Sequence, residues 1–445
     1  MTKNDCSWIC ITNQGSSSVF IDNIIFTLFN IMSYANKTNN KPKELVFPHP
    51  QVSANQREGI KTKEITLIVQ GQGVFLFADG KASEPAELIF NSPEKAKSGL
   101  RLLLTPSGTQ LYDLETEKLL AETASVLTIQ EGAYYWASLD SHNFNFRVGL
   151  GEARKETMAF EYEFLTKEEQ KDETLKKKTR DFLQEIKQIQ YPSFLYPLRL
   201  LRDPVISTLP LKVKAMDQLT MRDIAANQYL PVANLNPVSQ KLYGNIAGSN
   251  FILNDSDFPD FSDAIEYSIA TPGCWAHEKL KEKATEFDKD HPNPHQVYLR
   301  ITLGENGGES PGVPYVLEIW PPDCYSPIHN HANANAVIRV LYGQINVTLY
   351  PFLGAEKPMG NKTFEKDDIL WISPTQNQTH KLHNTNASGP TCITIQCYMY
   401  DAEDTQHYNY FDYLESGDNV GHFDPDSDME FLEFKAKMKE EWANR

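Results

Sequence analysis

The sequence predicts a mainly β protein in which two β regions are joined by a charged helix. In the first region, short apolar or alternating runs recur between turns that contain Gly or Asp. In the second region, the pair His329 and His331 precedes an apolar run and then the alternating residues Ile345, Val347 and Leu349. Runs of this length, bounded by turn residues, are typical of β-sandwiches and β-barrels.

Residues 1–60 are expected to form a leader that is partly disordered. The segment 19–32 is apolar, but Asp22 and Asn30 interrupt it, and it is shorter than the roughly 20 residues that a spanning helix needs. No basic segment or small-residue cleavage site frames it as a secretory signal. Either Met1 or Met32 can be the start of translation.

Residues 61–165 are predicted to form a β-sandwich. Turn signals such as Gly71-Gln-Gly73 and Asp79-Gly80 separate its apolar runs. The runs with strand character are 65–69, 74–77, 88–90, 100–104, 126–129, 134–137, 144–148 and 160–164.

Part of this sandwich carries a family resemblance. Residues 134–154, which read YYWASLDSHNFNFRVGLGEAR, and the run to Phe164 are similar to the β-sandwich module called the farnesoic acid methyltransferase domain. That name is no indication of methyl transfer here, because the segment contains no phosphate or cofactor loop. Tyr134, Tyr135 and Trp136 are more typical of a core than of a sugar-binding platform.

A charged linker helix is predicted over residues 166–192. Thr166 and Glu169 have the spacing of a capping box, and Leu175, Phe182 and Ile189 recur at helical spacing. Pro192 is expected to end the helix.

Residues 193–445 are predicted to form the second domain, in which helices flank a barrel. Helical patterns cover 219–226, 275–287 and 429–442. Ser427 or Asp428 is expected to cap the last of these helices.

The histidines of this domain suggest a metal site. Because side chains two residues apart point to the same face of a strand, His329 and His331 can bind one ion. A second element, residues 371–384, places His380 at the start of a strand that follows Pro374.

These elements resemble a known family. The order of several residues is similar to the two motifs of the cupin β-barrel: His329, His331, Gly343, Asp368, Pro374, His380 and Asn384. The usual glutamate ligand falls on Asn335 or Ala336, which supply no carboxylate. A cupin with three histidines and no glutamate resembles the thiol dioxygenases, and cysteine dioxygenase in particular.

Two further segments carry the same resemblance, which covers roughly residues 215–415. Tyr298-Leu-Arg300 stands where cysteine dioxygenases have a Tyr-x-Arg strand, and Thr394-Ile-Gln396-Cys-Tyr398 stands where they have Ser-x-His-x-Tyr. The resemblance implies an Fe²⁺ ion on His329, His331 and His380, and oxidation of a thiol to a sulfinate by dioxygen.

The resemblance also implies roles for the remaining site residues. Arg300 would anchor a substrate carboxylate beside Tyr298, and Tyr398 would donate a hydrogen bond in the site. Gln396 replaces the family's histidine and cannot move a proton near neutral pH, and Thr394 replaces its serine. The cysteine that animal cysteine dioxygenases join to the tyrosine aligns with Ala336, so no thioether is expected. A structural ion pair is the alternative role for Arg300.

Other functions remain open at this stage. The substrate can be L-cysteine, 3-mercaptopropionate, cysteamine or an N-terminal cysteine, and Arg300 favours a thiol that carries a carboxylate. A metal-binding cupin without redox chemistry is a different class of function. In a third hypothesis, the N-terminal sandwich binds an unknown ligand or protein and is the functional part.

Composition limits the partners and the compartment. The formal net charge of -17 and the pI near 5.1 argue against binding to nucleic acids or to anionic membranes. The six cysteines are scattered and form no CxxC pair, which is typical of a reducing, cytoplasmic protein.

Overall fold

The computed structural model describes residues 62–79, 85–105, 108–124, 134–205, 208–304, 314–354, 357–401, 404, 410–415 and 419–445. All of them fall in the same structural unit, Lys43–Arg445. The predicted leader at 1–60 and the predicted strand at 126–129 lie outside the described residues.

The N-terminal region is a sandwich of two antiparallel sheets. Its strands are β1 (Thr62–Thr66), β2 (Gln72–Asp79), β3 (Ala86–Ser92), β4 (Lys95–Thr105), β5 (Gly108–Asp113), β6 (Leu119–Ala124), β7 (Tyr134–Asp140), β8 (Asn145–Leu150), β9 (Met158–Glu163), β10 (Gln188–Pro192) and β11 (Leu195–Leu201). One sheet has the order β1-β10-β3-β4-β5-β6, and the other has the order β11-β2-β7-β8-β9.

Alternating apolar side chains from both sheets fill the space between them. Phe90 of β3 and Phe146 of β8 meet edge to face, with ring centroids 5.0 Å apart, and both are fully buried. Tyr135 and Trp136 are also fully buried. These two rings therefore belong to the interior of the fold, as their residue types predict, and not to an exposed sugar platform.

The segment predicted as a linker helix is built differently. The Thr166–Glu169 capping box forms, but it opens only a 3-10 turn, Glu169–Lys171. The helix α1, Glu173–Gln184, begins after Asp172, whose carboxylate accepts hydrogen bonds from the first turn.

The chain after α1 belongs to the sandwich. Ile189, which fits the helical spacing, lies in β10 between Ile65 of β1 and Phe90 of β3. Pairing with two neighbouring strands overrides the helical pattern here, because Ile189 and Tyr191 also fit the alternation of a strand. The predicted domain border at 192/193 falls between β10, which lies between β1 and β3 in one sheet of the sandwich, and β11, which is the edge strand of the other sheet.

The C-terminal region contains the second set of strands. They are β12 (Lys212–Lys214), β13 (Tyr229–Pro231), β14 (Leu299–Gly304), β15 (Tyr315–Trp320), β16 (Asn335–Tyr342), β17 (Gln344–Tyr350), β18 (Gly360–Glu365), β19 (Ile369–Ile372), β20 (Thr379–His383), β21 (Cys392–Met399), β22 (Phe411–Leu414), β23 (Val420–Phe423) and β24 (Met429–Glu430). An eight-stranded sheet has the order β13-β12-β19-β16-β21-β15-β14-β24, a three-stranded sheet has the order β18-β17-β20, and β22 pairs with β23.

The two larger sheets enclose one apolar layer, and helices cover the outer face of the eight-stranded sheet. Ala336 and Ile338 of β16 pack in this layer with Val347 of β17 and Leu382 of β20. On the other face, Val337 and Ile395 pack with residues of the helices. The fold is therefore mainly β, as the sequence predicts. An N-terminal sandwich is followed by a C-terminal pair of packed sheets with flanking helices, and we call this pair of sheets the barrel.

Five helices flank the barrel among the described residues. They are α2 (Met221–Ala225), α3 (Pro237–Ile246), α4 (Phe261–Ala270), α5 (Trp275–Lys283) and α6 (Phe431–Ala443). The sequence predicts α2, α5 and α6 but misses α3 and α4. No helix in the described part of the chain combines the length and the apolar character that crossing a membrane requires.

The predicted capping of the last helix is wrong. Ser427 and Asp428 make no side-chain cap on α6, whose N-cap residue is Glu430. Instead, the Asp428 carboxylate accepts from the backbone N–H of Arg300 at 2.8 Å, and the Ser427 hydroxyl accepts from that of Thr302 at 3.1 Å. These contacts attach β14, and with it Arg300, to the chain before α6.

We expect Phe146→Ala to destabilise the sandwich. Removing a fully buried ring leaves a cavity, and such changes lower the free energy of unfolding by about 3–5 kcal/mol. Urea denaturation of the full chain measures this change. Leu119→Ala, at a position with 40% exposure on the edge strand β6, is the control and should have a much smaller effect. Equal effects of both variants would contradict the assigned core.

Candidate metal centre

Two backbone segments bring the three predicted histidines together. His329 and His331 lie in the loop between β15 and β16, and His380 lies on β20. The backbones of His329 and His380 exchange two N–H···O hydrogen bonds of 3.0 Å, as in an antiparallel bridge. The sequence predicts a strand at the His-x-His pair, and the structure has isolated antiparallel bridges there instead, from His329 to His380 and from His329 to Tyr413.

The three imidazoles face one another inside the barrel. The centroids of the His329 and His331 rings are 4.8 Å apart, those of His329 and His380 are 5.0 Å apart, and those of His331 and His380 are 4.6 Å apart. One nitrogen of each ring lies within 4.8 Å of the others, and all three residues are buried.

Backbone carbonyls orient each ring. The Nδ1 atoms of His329, His331 and His380 lie 3.1, 3.2 and 3.2 Å from the carbonyl oxygens of Pro327, Gln378 and Asn377, respectively. A proton on Nδ1 leaves Nε2 as the free acceptor, which is the arrangement of a metal-ligating histidine. The Nε2 atom of His380 is buried without a hydrogen-bond partner among the described residues.

The electrostatics of the site keep these rings neutral. Burial, with the neighbouring His380 ring, lowers the pKa of His329 to about 3 and holds that of His331 well below its usual range. Burial also lowers the pKa of His380 to about 4. Neutral imidazoles with a free Nε2 are the form that binds a divalent cation, so these residues fit a metal ion.

Arg300 lies on the same interior but is already paired. Its Nη1 atom is 2.7 Å from Glu318 Oε1, and both side chains are about 4% exposed. Arg300 and Glu318 are directly opposite each other on β14 and β15. The Nε and Nη2 atoms of Arg300 have no hydrogen-bond partner within standard geometry among the described residues.

Glu318 is a site residue that the sequence analysis misses. Burial raises the pKa of its carboxyl to about 7, although Arg300 opposes the rise. Burial disfavours charge on the Arg300 guanidinium, but the adjacent Glu318 carboxylate opposes this effect, and the pKa of Arg300 is raised. A single glutamate in an apolar strand gives no sequence signal of a functional role.

Gln396 links this ion pair to Tyr398. The Tyr398 hydroxyl donates to Gln396 Oε1, and Gln396 Nε2 donates to Glu318 Oε2 and, at 3.2 Å, to Thr394 Oγ1. Thr394 lies opposite Glu318 across β15 and β21. The structure therefore brings Arg300, Thr394, Gln396 and Tyr398 into one buried polar row.

Tyr398 faces an alanine on the neighbouring strand. Ala336 of β16 is directly opposite Tyr398 of β21, so the facing position offers no sulfur. Cys397 points to the other face, where its Sγ atom is 3.4 Å from the Leu242 carbonyl oxygen. The Tyr398 ring is parallel to that of His331, with 5.9 Å between centroids, and burial raises the pKa of its hydroxyl.

Aromatic rings close the site. Tyr298 stacks on Trp320 with 4.2 Å between centroids, which accounts for its full burial next to Arg300. Phe411 of the β22–β23 hairpin is 4.9 Å from the His331 ring, centroid to centroid. The sequence analysis misses Trp320 and Phe411, which lie in apolar runs with no spacing that marks them.

A surface cavity lies near the site but on the other face of β20. Its lining includes Pro327, Tyr350 and Lys381. Because Lys381 follows His380 along a strand, the two side chains point to opposite faces. His380 therefore points away from the side of β20 that lines this cavity, and none of the three histidines is among the lining residues.

Comparisons with known proteins give weak similarity. No family model matches the sequence. A protein described as a sugar phosphate isomerase from Acidithiobacillus ferrooxidans is 18% identical over 30% of this chain and 79% of that chain, with a TM-score of 0.20. A cupin 2 domain-containing protein from Halorhodospira halophila is 17% identical over 25% of this chain and 69% of that chain, with a TM-score of 0.17.

The ribosomal oxygenase YcfD from Escherichia coli is 14% identical over 20% of this chain, with a TM-score of 0.17, and the match spans only 23% of that protein. Similarity at this level does not define an activity. The resemblances to thiol dioxygenases and to the farnesoic acid methyltransferase domain stay predictions.

We expect His380→Ala to abolish stoichiometric binding of Fe²⁺ or Co²⁺, because it removes one of three ligand atoms. Metal analysis of the purified protein and titration with Co²⁺ measure the loss. His383→Ala is the matched control on the same strand, since His383 is 29% exposed and contacts Asp323 instead. Full metal content in His380→Ala would show that the ion binds elsewhere.

Proposed function

We propose that the C-terminal domain is a non-haem iron(II) thiol dioxygenase, which adds both atoms of O₂ to the sulfur of a small thiol. L-Cysteine is the proposed substrate, and cysteine sulfinic acid is the product. The observation that carries the proposal is the convergence of three neutral histidines, a buried arginine and a tyrosine hydroxyl on one closed interior.

The donor set supports a metal that accepts a thiolate. His329, His331 and His380 would hold the ion, and three neutral ligands leave its full positive charge to attract a thiolate. A bound iron(II) ion would supply the redox chemistry by which dioxygen reacts with sulfur. The overall change, RSH + O₂ → RSO₂H, needs no other reductant, because sulfur loses the four electrons that O₂ gains.

The Arg300–Glu318 pair supports a zwitterionic substrate. The Nε and Nη2 atoms of Arg300 have no well-aligned hydrogen-bond partner among the described residues, although the Tyr298 and Tyr398 hydroxyls lie near the guanidinium. These N–H groups can donate to a carboxylate, as guanidinium groups commonly do. Glu318 accepts one hydrogen bond on each oxygen, so each oxygen retains a lone pair for an ammonium group. L-Cysteine carries both charges on the carbon next to its thiol-bearing methylene.

Burial raises the pKa of the Tyr398 hydroxyl, so the group stays protonated at neutral pH, but its one proton is donated to Gln396 Oε1 in this structure. Tyr398 would donate to a ligand after its hydroxyl turns away from Gln396, and until then its oxygen can only accept. Gln396 orients that hydroxyl and is itself held by Thr394 and Glu318. The side-chain amide does not titrate, so the row positions Tyr398 without exchanging a proton through residue 396. Phe411 and Trp320 would exclude water from the reacting groups.

A second candidate substrate class is an aminothiol without a carboxylate, such as cysteamine or an N-terminal cysteine. The ion pair supports this class, because Glu318 already neutralises the charge of Arg300. Arg300 then needs no substrate carboxylate, and the Glu318 carboxylate can accept from the ammonium group of an aminothiol. We place the activity in the cytoplasm, in agreement with the unpaired thiols of Cys274, Cys324, Cys392 and Cys397.

The iron(II)-loaded protein should consume O₂ only when a thiol is present. With L-cysteine, we expect one O₂ per thiol and a sulfinate that gains two ¹⁸O atoms from ¹⁸O₂, which mass spectrometry detects. His380→Ala under the same conditions is the control. Oxygen uptake that responds to none of the thiols would leave a metal-binding cupin with another task.

Variants of the ion pair should separate the substrate classes. Loss of one charged hydrogen bond costs about 1.5–3 kcal/mol, or roughly 10- to 100-fold in kcat/KM. Glu318→Gln should lower kcat/KM for L-cysteine and cysteamine, which carry an ammonium, more than for 3-mercaptopropionate. Arg300→Gln should lower it most for the two thiols that carry a carboxylate.

Steady-state kinetics with the three thiols measure these ratios, and the unaltered protein sets the baseline. If the unaltered protein consumed cysteamine as fast as L-cysteine, the carboxylate role of Arg300 would be wrong and the aminothiol class would replace it. Equal losses on all three thiols in both variants would show that the pair is only structural.

A further inference from the structure

A loop of the N-terminal sandwich contacts the barrel beside the histidines. Residues 151–154 connect β8 to the turn before β9, and the Glu152 N–H donates to the Pro351 carbonyl oxygen at 3.0 Å. Gly151 has a φ of +90°, and a Cβ atom there would lie 2.5 Å from Pro351. Only glycine allows this close approach of the two backbones.

The Glu152 side chain binds the backbone of the loop that precedes β20. Its two carboxylate oxygens accept from the backbone N–H groups of Asn377 and Gln378, both at 2.8 Å. Arg154 Nη1 is 3.3 Å from Glu152 and donates to the side-chain oxygen of Asn377 at 2.9 Å. Glu152 and Arg154 are both less than a tenth exposed, so water does not weaken these contacts.

Asn377 and Gln378, whose N–H groups bind Glu152, also supply the carbonyl oxygens that orient two of the proposed metal ligands. The Asn377 carbonyl oxygen faces His380 Nδ1, and the Gln378 carbonyl oxygen faces His331 Nδ1, each at 3.2 Å. The peptide group between Asn377 and Gln378 therefore has Glu152 on its N–H and His380 on its carbonyl. A carboxylate on the N–H polarises the peptide and makes its oxygen a stronger acceptor.

Asn377 requires support in its conformation. Its φ of +63° lies in the left-handed region, which costs free energy for a residue with a side chain. The Asn377 amide donates to the Trp371 carbonyl at 3.0 Å, and the Gln376 amide donates to the Ala153 carbonyl at 2.9 Å. Contacts to the sandwich thus hold this loop together with contacts inside the barrel.

We propose that Glu152 is a positioning residue of the metal centre, so that the N-terminal sandwich fixes the orientation of His380 and His331 from outside the barrel. Hydrogen bonds connect the Glu152 carboxylate to the peptide group between Asn377 and Gln378, and that peptide group to the His380 imidazole. This role concerns metal affinity and is independent of which thiol, if any, the domain oxidises.

The test is Co²⁺ binding by the full chain with Glu152→Gln. The amide can no longer accept both backbone N–H groups, and loss of a supporting group of this kind weakens metal binding by about 10- to 100-fold. We expect this loss together with a shift of the Co²⁺ visible absorption bands, at temperatures where circular dichroism shows a native fold. Glu156→Gln is the matched control, because Glu156 pairs with Arg154 in the same loop without reaching Asn377 or Gln378.

Glu152→Asp keeps the charge beside Arg154 but is too short to reach both N–H groups, so it decides the question if Glu152→Gln does not fold. A folded variant of Glu152 with the Co²⁺ affinity and spectrum of the unaltered protein would overturn the proposal. Unfolding of both variants, where Glu156→Gln stays native, would assign Glu152 to the fold and not to the metal centre.

Discussion

The hydrogen bonds from three histidine Nδ1 atoms to backbone carbonyls determine what this site can do. Each bond fixes the tautomer and the rotation of a ring, so that the free nitrogens point inward. Burial then prevents protonation, because a charged imidazole in this interior would lose its hydration without gaining a partner. A divalent cation is the species that such a set of buried acceptors can bind. The rest of the structure serves to hold these carbonyls in place.

A second constraint acts across the neighbouring strands. Arg300, Glu318 and Thr394 occupy facing positions on β14, β15 and β21, and Gln396 connects them to Tyr398. A buried charge pair of this kind is costly unless its hydrogen-bonding capacity is used. The Nε and Nη2 atoms of Arg300 have no well-aligned partner among the described residues, which is why the proposed function assigns a ligand carboxylate to them. Specificity in the proposed function depends on this row, and metal binding does not.

The sequence predicts those residues of the candidate site that recur at the two-residue spacing of a strand. The two-residue periods of Tyr298/Arg300 and Thr394/Gln396/Tyr398 place each set on one face, and the structure brings the two sets together. His329 and His331 also meet, but they do so from a loop and not from the predicted strand. The position of Ala336 opposite Tyr398 also follows from the aligned motif.

Other features depend on pairings that no local pattern contains. Glu318 gains its role only from the strand beside it, and Ile189 lies in a strand because β1 and β3 flank it. Glu152 is more than two hundred residues from Asn377 in the chain, yet the carboxylate contacts its backbone directly. Long-range contacts of this sort decide how the sandwich and the barrel act on one site, and periodicity cannot reveal them.

The most direct measurement is a crystal structure of the iron(II)-loaded full chain, with anomalous diffraction at the iron edge. The account predicts one iron ion about 2.0–2.2 Å from the Nε2 atoms of His329, His331 and His380. It also predicts that the three Nδ1–carbonyl hydrogen bonds are retained. Iron bound through an Nδ1 atom, through only two of these histidines, or at a carboxylate in place of one of them would contradict it.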